Sequence, residues 1–285
     1  MPDQKPSPRR PATKSAAPKG SAAPKGPASR QAAKAPPAKA PPAKASPGAK
    51  RAPKAPAGPQ PVGPEILSEI FRRFQGIEPE PRGELEHLNA YTLLVAVVLS
   101  AQATDAGVNK ATRALFQAAD TPQKMLDLGE ERVRDHVKSI NFFRTKAKNV
   151  IALSQRLVDE FGGEVPPSVE ILETLPGVGR KTASVVVNMA FGIPRIAVDT
   201  HIFRVSNRIP LVSTKEPLET QEALEAIMPD EFRLHAHHWL ILHGRYTCKA
   251  RLPECWRCPI RDLCRYEPKS SSPNGAAAEA LTNSA

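Results

Sequence analysis

The sequence predicts an all-α protein organised around a helix–hairpin–helix. Apolar residues recur at three- and four-residue steps in one segment after another, which is the helical period. No alternating strand pattern of any length interrupts them. Residues 168–201 carry two such helical patterns on either side of a four-residue break, Pro176-Gly177-Val178-Gly179. Pro fixes φ and Gly admits positive φ, so the break reads as a tight turn. A helix that starts at a Gly-rich turn offers free backbone N–H groups and the positive end of its dipole to an anion. The glycines also lack a Cβ that would hold a phosphate away.

The chain begins with residues 1–58, almost wholly Ala, Pro, Lys, Gly and Ser. They hold 13 Lys or Arg against a single acid, Asp3. S-A-A-P-K-G repeats at 15–20 and 21–26, and K-A-P-P-A at 34–38 and 39–43. No apolar face is available to offset ordering entropy, so this stretch is expected to be disordered and biased to polyproline II. It reads either as a non-specific arm for DNA or as a solubilising tail. The whole chain of 285 residues is +11, so nearly all of that charge belongs to the tail and not to the body.

Helices follow in order. Glu65 to Phe74 places Ile66, Ile70, Phe71 and Phe74 on one face. Residues 92–105, T-L-L-V-A-V-V-L-S-A-Q-A-T-D, read as a helix apolar on most sides and therefore central. Gln102 and Thr104 bring polar groups into that setting, Gln102 as a satisfied structural amide or a group facing an opened cavity. Asn109–Ala118, Pro122–Asp127 and Glu130–Ser139 read as further helices. Phe142-Phe143 form a turn before a helix from Lys146 to Phe161. Phe143 is most simply core and Phe142 an exposed wedge, with Arg144, Lys146 and Lys148 beside them as weak signals of DNA contact. After Gly162-Gly163 comes the hairpin. Lys181 lies in the first turn of its second helix, and Asp199 follows at the end of an apolar run. By themselves these residues have ordinary readings: a solvated lysine, and the N-cap of a helix that runs from His201 to Asn207. Helices at Leu218–Ile227 and His235–His243 complete the body. The four His near 235–243 lack interleaved Cys or acidic partners, so they read as surface or packed groups and not as a metal site.

All four cysteines fall between 248 and 264, with gaps of six, two and five residues. Such clustering argues for a metal centre over a disulfide framework. Four thiolates hold either tetrahedral zinc or an iron–sulfur cluster; three unequal loops suit the wider cluster better, while zinc stays open. Arg251, Arg257 and Arg261 lie in the loops, either for phosphate contact or to balance thiolate charge. The N-terminus has no secretory h-region, and the apolar run Leu93–Leu99 is too short to span a bilayer. A cytosolic, nucleoid-associated protein is expected.

Taken together, L-S-A-Q-A-T-D (99–105), L-P-G-V-G-R-K-T-A (175–183), I-A-V-D-T-H-I-F-R-V (196–205) and the C-x6-C-x2-C-x5-C spacing resemble the endonuclease III family of bifunctional DNA glycosylase/AP lyases. The resemblance covers about 62–268. It implies a two-lobed helix–hairpin–helix glycosylase fold: a six-helix barrel over 83–193, and an iron–sulfur lobe from 62–82 and 194–268, with a disordered tail over 269–285. It implies Lys181 as nucleophile, Asp199 as its carboxylate partner, and Cys248, Cys255, Cys258 and Cys264 as ligands of a 4Fe–4S cluster. Contact with damaged double-stranded DNA would fall to Gln102, Phe142, Arg144, Lys146, Gly177, Val178, Gly179, Arg180 and His201. The family commonly has Leu where Phe142 stands. The expected activity is removal of oxidised pyrimidines and β-elimination 3′ to the abasic site, by a monomer. Adenine DNA glycosylases share the hairpin, Asp and cluster but lack the hairpin Lys, carry a Glu in the first barrel helix and have an extra C-terminal domain. A non-catalytic DNA clamp with a zinc-stabilised loop is the second rival.

Overall fold

The computed structural model describes residues 60–273. The expectations for residues 1–58, and for the chain beyond 273, lie outside the described residues. Eleven α-helices and two 3₁₀ turns occur in the described part, with no β-strand. The helices are α1 (Pro64–Ile77), α2 (Ala90–Ser100), α3 (Asp105–Ala118), α4 (Pro122–Leu128), α5 (Glu130–Val137), α6 (Phe143–Phe161), α7 (Val169–Leu172), α8 (Arg180–Phe191), α9 (Thr200–Arg208), α10 (Pro217–Ile227) and α11 (Ala236–Tyr246).

They bury two separate cores. The first is built by α2 to α8 around α2, whose residues Tyr91 to Leu99 are all buried. A capping box starts α2: Asn89 accepts from the Thr92 N–H while the Thr92 hydroxyl accepts from the Asn89 N–H. The second core joins α1 to α9, α10, α11 and the cysteine loop. Leu67, Ile70, Phe71 and Phe74 form the buried face of α1, so Leu67 stands where the periodicity puts Ile66. Phe71 stacks on Phe232 at 5.8 Å between centroids, and the Trp239 indole donates to the Glu78 carbonyl at 2.8 Å. Each buried aromatic contributes about 1.5–3 kcal/mol. The N-terminal helix is thus tied to the last third of the chain.

Four boundaries depart from the sequence reading. The long apolar helix stops at Ser100, not at 105, because Gln102 turns the backbone to φ 54° and Thr104 caps α3, accepting from the Gly107 N–H. In consequence α3 begins at Asp105, four residues early. Likewise α6 begins at Phe143, with Phe142 at φ 56° as its left-handed N-cap. The C-terminal boundary also moves. Ser270 falls in the expected disordered tail, yet its hydroxyl accepts from the Cys255 N–H at 3.1 Å and donates to the Pro253 carbonyl. The cysteine-loop packing therefore runs past residue 268.

Candidate active site

The hairpin sets up the site. Ser168 caps the short α7, accepting from the Ile171 N–H, and Leu172, Leu175 and Val178 anchor the turn in the first core. Gly177 has φ 78°, and a Cβ there would stand 2.6 Å from Asn149 Nδ2, so the fold itself demands glycine. Gly179 differs: its backbone is extended and a Cβ would meet nothing within 4 Å. Glycine at 179 keeps the approach to the first turn of α8 open. That turn has no side-chain cap, so its N–H groups are free for an anion.

Lys181 projects from this turn, about half-exposed. Its Nζ lies 3.9 Å from Oδ2 of Asp199, whose side chain is 11% exposed. Asp199 Oδ1 meanwhile accepts from the His201 and Ile202 N–H groups, each at 2.8 Å. The cap and the lysine partner, alternatives when read from sequence, are two oxygens of one carboxylate.

Lys181 opens on a cleft of about 240 Å³, lined by residues that include Gln102, Ser100, Asp105, Thr182, Met189, His237, His238 and Arg245. Arg245 of α11 donates to Asp105 at 2.5 Å and to Glu84, which also accepts from the Tyr246 hydroxyl. This tie crosses the cleft mouth from α11 to the start of α3. Sequence reading missed Glu84, Asp105 and Arg245. Met189 is also placed by a close contact: a Cβ at Gly83 would come 2.6 Å from its Cε.

Gln102 is exposed, so the reading of a buried structural amide gives way to a residue on the cleft wall. Gln102 and Phe142 are the two non-glycine residues with positive φ among the described residues. The Asn141 amide links them, donating to the Gln102 carbonyl at 3.1 Å. Each left-handed turn costs about 1–3 kcal/mol, and both carry exposed side chains, Phe142 at 63%. Phe143 packs on the first core, and the Arg144 guanidinium lies 5.1 Å above its ring.

Other expected contact residues fare differently. Lys146 is a correction: it is 6% exposed, and its Nζ has no hydrogen-bond partner among the described residues. The early start of α6 puts 146, 147 and 150 on the inward face, so Lys146 is packed inside and not displayed beside Phe142. The Val178 side chain is buried, leaving only its backbone for contact. Arg180 is exposed, 3.7 Å from Glu173. His201 is half-buried against Gly244, with its Nδ1 3.4 Å from the Arg204 guanidinium, and does not line the cleft.

The four cysteines are free thiols that share one small cavity, of about 20 Å³, with Arg208, His243 and Tyr266. Among the described residues no three His, Cys, Asp or Glu side chains are grouped to hold a single metal ion. Burial pushes the Cys258 thiol up to about 11 and raises that of Cys264, so thiolates here need a cationic centre. Cations and donors are at hand: Arg208 Nη1 lies 3.6 Å from Cys248 Sγ, and the Tyr266 N–H 3.5 Å from Cys264 Sγ. Arg204 donates to the Cys248 carbonyl at 3.1 Å. These groups can offset the negative charge of thiolates gathered here. The loop arginine Arg257 instead pairs with Glu254.

Comparison with known proteins settles the kinship. Residues 95–230 match the HhH-GPD superfamily of base excision DNA repair proteins. The endonuclease III of Treponema pallidum (strain Nichols) is 56% identical over 195 residues, covering 68% of this chain and 92% of that protein. This chain belongs to the endonuclease III family. The Escherichia coli (strain K12) endonuclease III is 51% identical over 201 residues, 70% of this chain and 95% of its own length. A solved structure of a trapped endonuclease III–DNA covalent intermediate superposes with a TM-score of 0.67 at 43% identity, over 72% of this chain and 96% of that one. A thermostable thymine-DNA glycosylase, at 23% identity and a TM-score of 0.61, shares the fold. As an endonuclease III, the protein is a DNA glycosylase and AP lyase of base excision repair, acting on oxidised pyrimidines. No helix among the described residues is long and apolar enough to cross a membrane.

Proposed function

We propose that Lys181 is the nucleophile and Asp199 its proton acceptor. The observation that carries this reading is the 3.9 Å approach of Asp199 Oδ2 to Lys181 Nζ, with Lys181 on the wall of a cleft large enough for a base. C1′ is out of reach in a stacked duplex, so the damaged nucleotide must be extruded. The free amine of Lys181 attacks C1′ and the C1′–N bond to the base breaks, its electron pair leaving with the base. The amine proton passes to Asp199. Ring opening then gives a Schiff base on Lys181. The iminium acidifies the C2′ proton; water takes it, the C2′–H pair forms a C2′=C3′ double bond, and the C3′–O bond breaks to release the 3′ phosphate.

Gln102 and Phe142, on their two tied turns, are suited to fill the gap left in the duplex. The free N–H groups at Gly179 and Arg180 are suited to phosphates, as is Arg144, two residues after Phe142. Similarity to endonuclease III–DNA complexes supports contact with double-stranded DNA. The two cores support a division into a helical barrel over 83–193, built by α2 to α8, and a second lobe from 62–82 and from 194 to about 270. A 4Fe–4S cluster held by Cys248, Cys255, Cys258 and Cys264 would supply structural rigidity, not redox turnover. Four cysteines on one cavity, with Arg208 and the Tyr266 N–H against two of their sulfurs, support a cluster site there. We propose a cytoplasmic monomer kept near the nucleoid by its basic tail.

Lys181→Ala tests the assignment. Borohydride should trap no covalent complex between this variant and abasic duplex, while DNA binding persists. Undiminished trapping would remove Lys181 from the role. Purified protein should be brown; a colourless, zinc-loaded protein with full activity would overturn the cluster.

A further inference from the structure

One wall of the cleft carries polar groups that the proposed reaction does not use. His237 and His238, on α11, are 4% and 7% exposed and pack edge to face, with ring centroids 5.1 Å apart. Both line the cleft beside Lys181 and Gln102. In each ring Nδ1 is sealed from solvent with no hydrogen-bond partner among the described residues, whereas Nε2 is not so sealed. A buried N–H without an acceptor is rarer and costlier than a buried lone pair. The tautomer that avoids it carries its proton on Nε2 and hides the lone pair at Nδ1. His237 stays neutral in this setting, because burial above all, and the nearby Arg245 guanidinium, oppose a positive charge on the ring. Such a ring offers the cleft a fixed N–H donor and no positive charge.

We infer that His237 is a catalytic residue for base release: its Nε2–H donates a hydrogen bond to a carbonyl oxygen of the extruded pyrimidine. The inference rests on the proposed role of Lys181. As the C1′–N1 bond breaks, its electron pair moves onto the base and spreads over N1 and the ring carbonyls. A donor on the cleft wall that meets that oxygen stabilises the developing charge more than the neutral ground state. His237 keeps its proton throughout: in this step Lys181 gives its amine proton to Asp199, and the departed base anion takes a proton from water. Once the base has left, nothing in the lyase half of the reaction needs this donor. The role is therefore confined to the glycosylase step.

The test uses full-length holoenzyme under single-turnover conditions on two duplexes, one with 5,6-dihydrothymine and one with a preformed abasic site. His237→Phe keeps an aromatic ring and removes the donor. It should slow base release about ten- to a hundredfold, the range for a hydrogen bond to a charged group, and leave abasic-site cutting within about twofold. His237→Gln places an amide N–H near Nε2 and should recover part of the base-release rate. Equal loss on both duplexes in both variants would assign His237 a structural role and overturn the inference, as would unchanged base release in His237→Phe. Should His237→Phe fail to fold, the split between the two duplexes in His237→Gln decides. Failure of wild-type enzyme to cut the abasic duplex would instead sink the Lys181 reading.

Discussion

Asp199 divides its carboxylate between two tasks: Oδ1 caps α9 through two N–H groups at 2.8 Å, while Oδ2 faces Lys181 Nζ at 3.9 Å. The cap holds the side chain in one rotamer, so the second oxygen is presented to Lys181 without further ordering cost. A residue that is conformationally fixed by the helix it starts is well placed to receive a proton at a defined point.

The two tasks come apart under mutation. Asparagine caps as well as aspartate, so Asp199→Asn should keep stability within a few tenths of a kcal/mol. It loses the proton acceptor, and base release should fall by several orders of magnitude. Asp199→Ala should show the same kinetic loss together with about 1 kcal/mol of destabilisation. Melting temperatures and single-turnover rates measured on both variants check this; a near-normal rate in Asp199→Asn would leave the residue a cap alone.

The two hairpin glycines should separate in the opposite sense. Gly177→Ala forces a side chain into a left-handed turn and onto Asn149, and should cost about 1–3 kcal/mol of stability. Gly179→Ala meets no atom of the protein and should leave stability unchanged or slightly raised. Its Cβ stands at the free N–H groups of α8, so DNA affinity should weaken with the fold intact. Equal DNA affinity in Gly179→Ala and wild type would contradict phosphate binding at this turn.

How much of this was legible in the chain depends on distance along it. Lys181 and Asp199 could be found because a Gly turn and an N-cap are local signals, and the cysteine spacing is equally local. The tie of Arg245 to Glu84 and Asp105 spans 161 and 140 residues, so no periodicity announces it. Lys146 was misplaced because the start of α6 depends on a left-handed phenylalanine, a conformation that residue type does not suggest. Arg204 and Arg208 sit one turn apart on α9, a spacing that could have flagged a basic face towards the cysteines. Only the fold shows what that face meets.

Acid should destabilise the protein through the cleft histidines. Burial holds His237 at about 3 and His238 at about 4 when folded, against an ordinary histidine value of 6.5 in the unfolded chain. Unfolded chains therefore bind more protons below pH 6.5. Stability is full above that pH and is lost as pH falls towards 4, at up to about 1.4 kcal/mol per pH unit for each ring. The loss levels off once the folded rings protonate too. Replacing one ring by a neutral amide, as in His238→Gln, should make the acid limb of a melting-temperature profile shallower than wild type. An unchanged limb would mean that the ring is not held neutral by burial.

Deleting residues 1–58 should flatten the salt dependence of DNA affinity, because those residues carry 13 basic side chains whose counterions would be released on binding. Catalytic rate at saturating enzyme should not change. An unchanged salt slope, measured by titration at several ionic strengths, would make the segment a solubilising tail.

The central claim is that one amine at the start of α8 forms the bond to the sugar. Borohydride reduction of wild-type enzyme on abasic duplex, followed by proteolysis and mass spectrometry, locates the adduct directly. The account predicts a sugar-modified peptide with the modification on Lys181. A modification carried by any other lysine, or by the N-terminal amine, would contradict it.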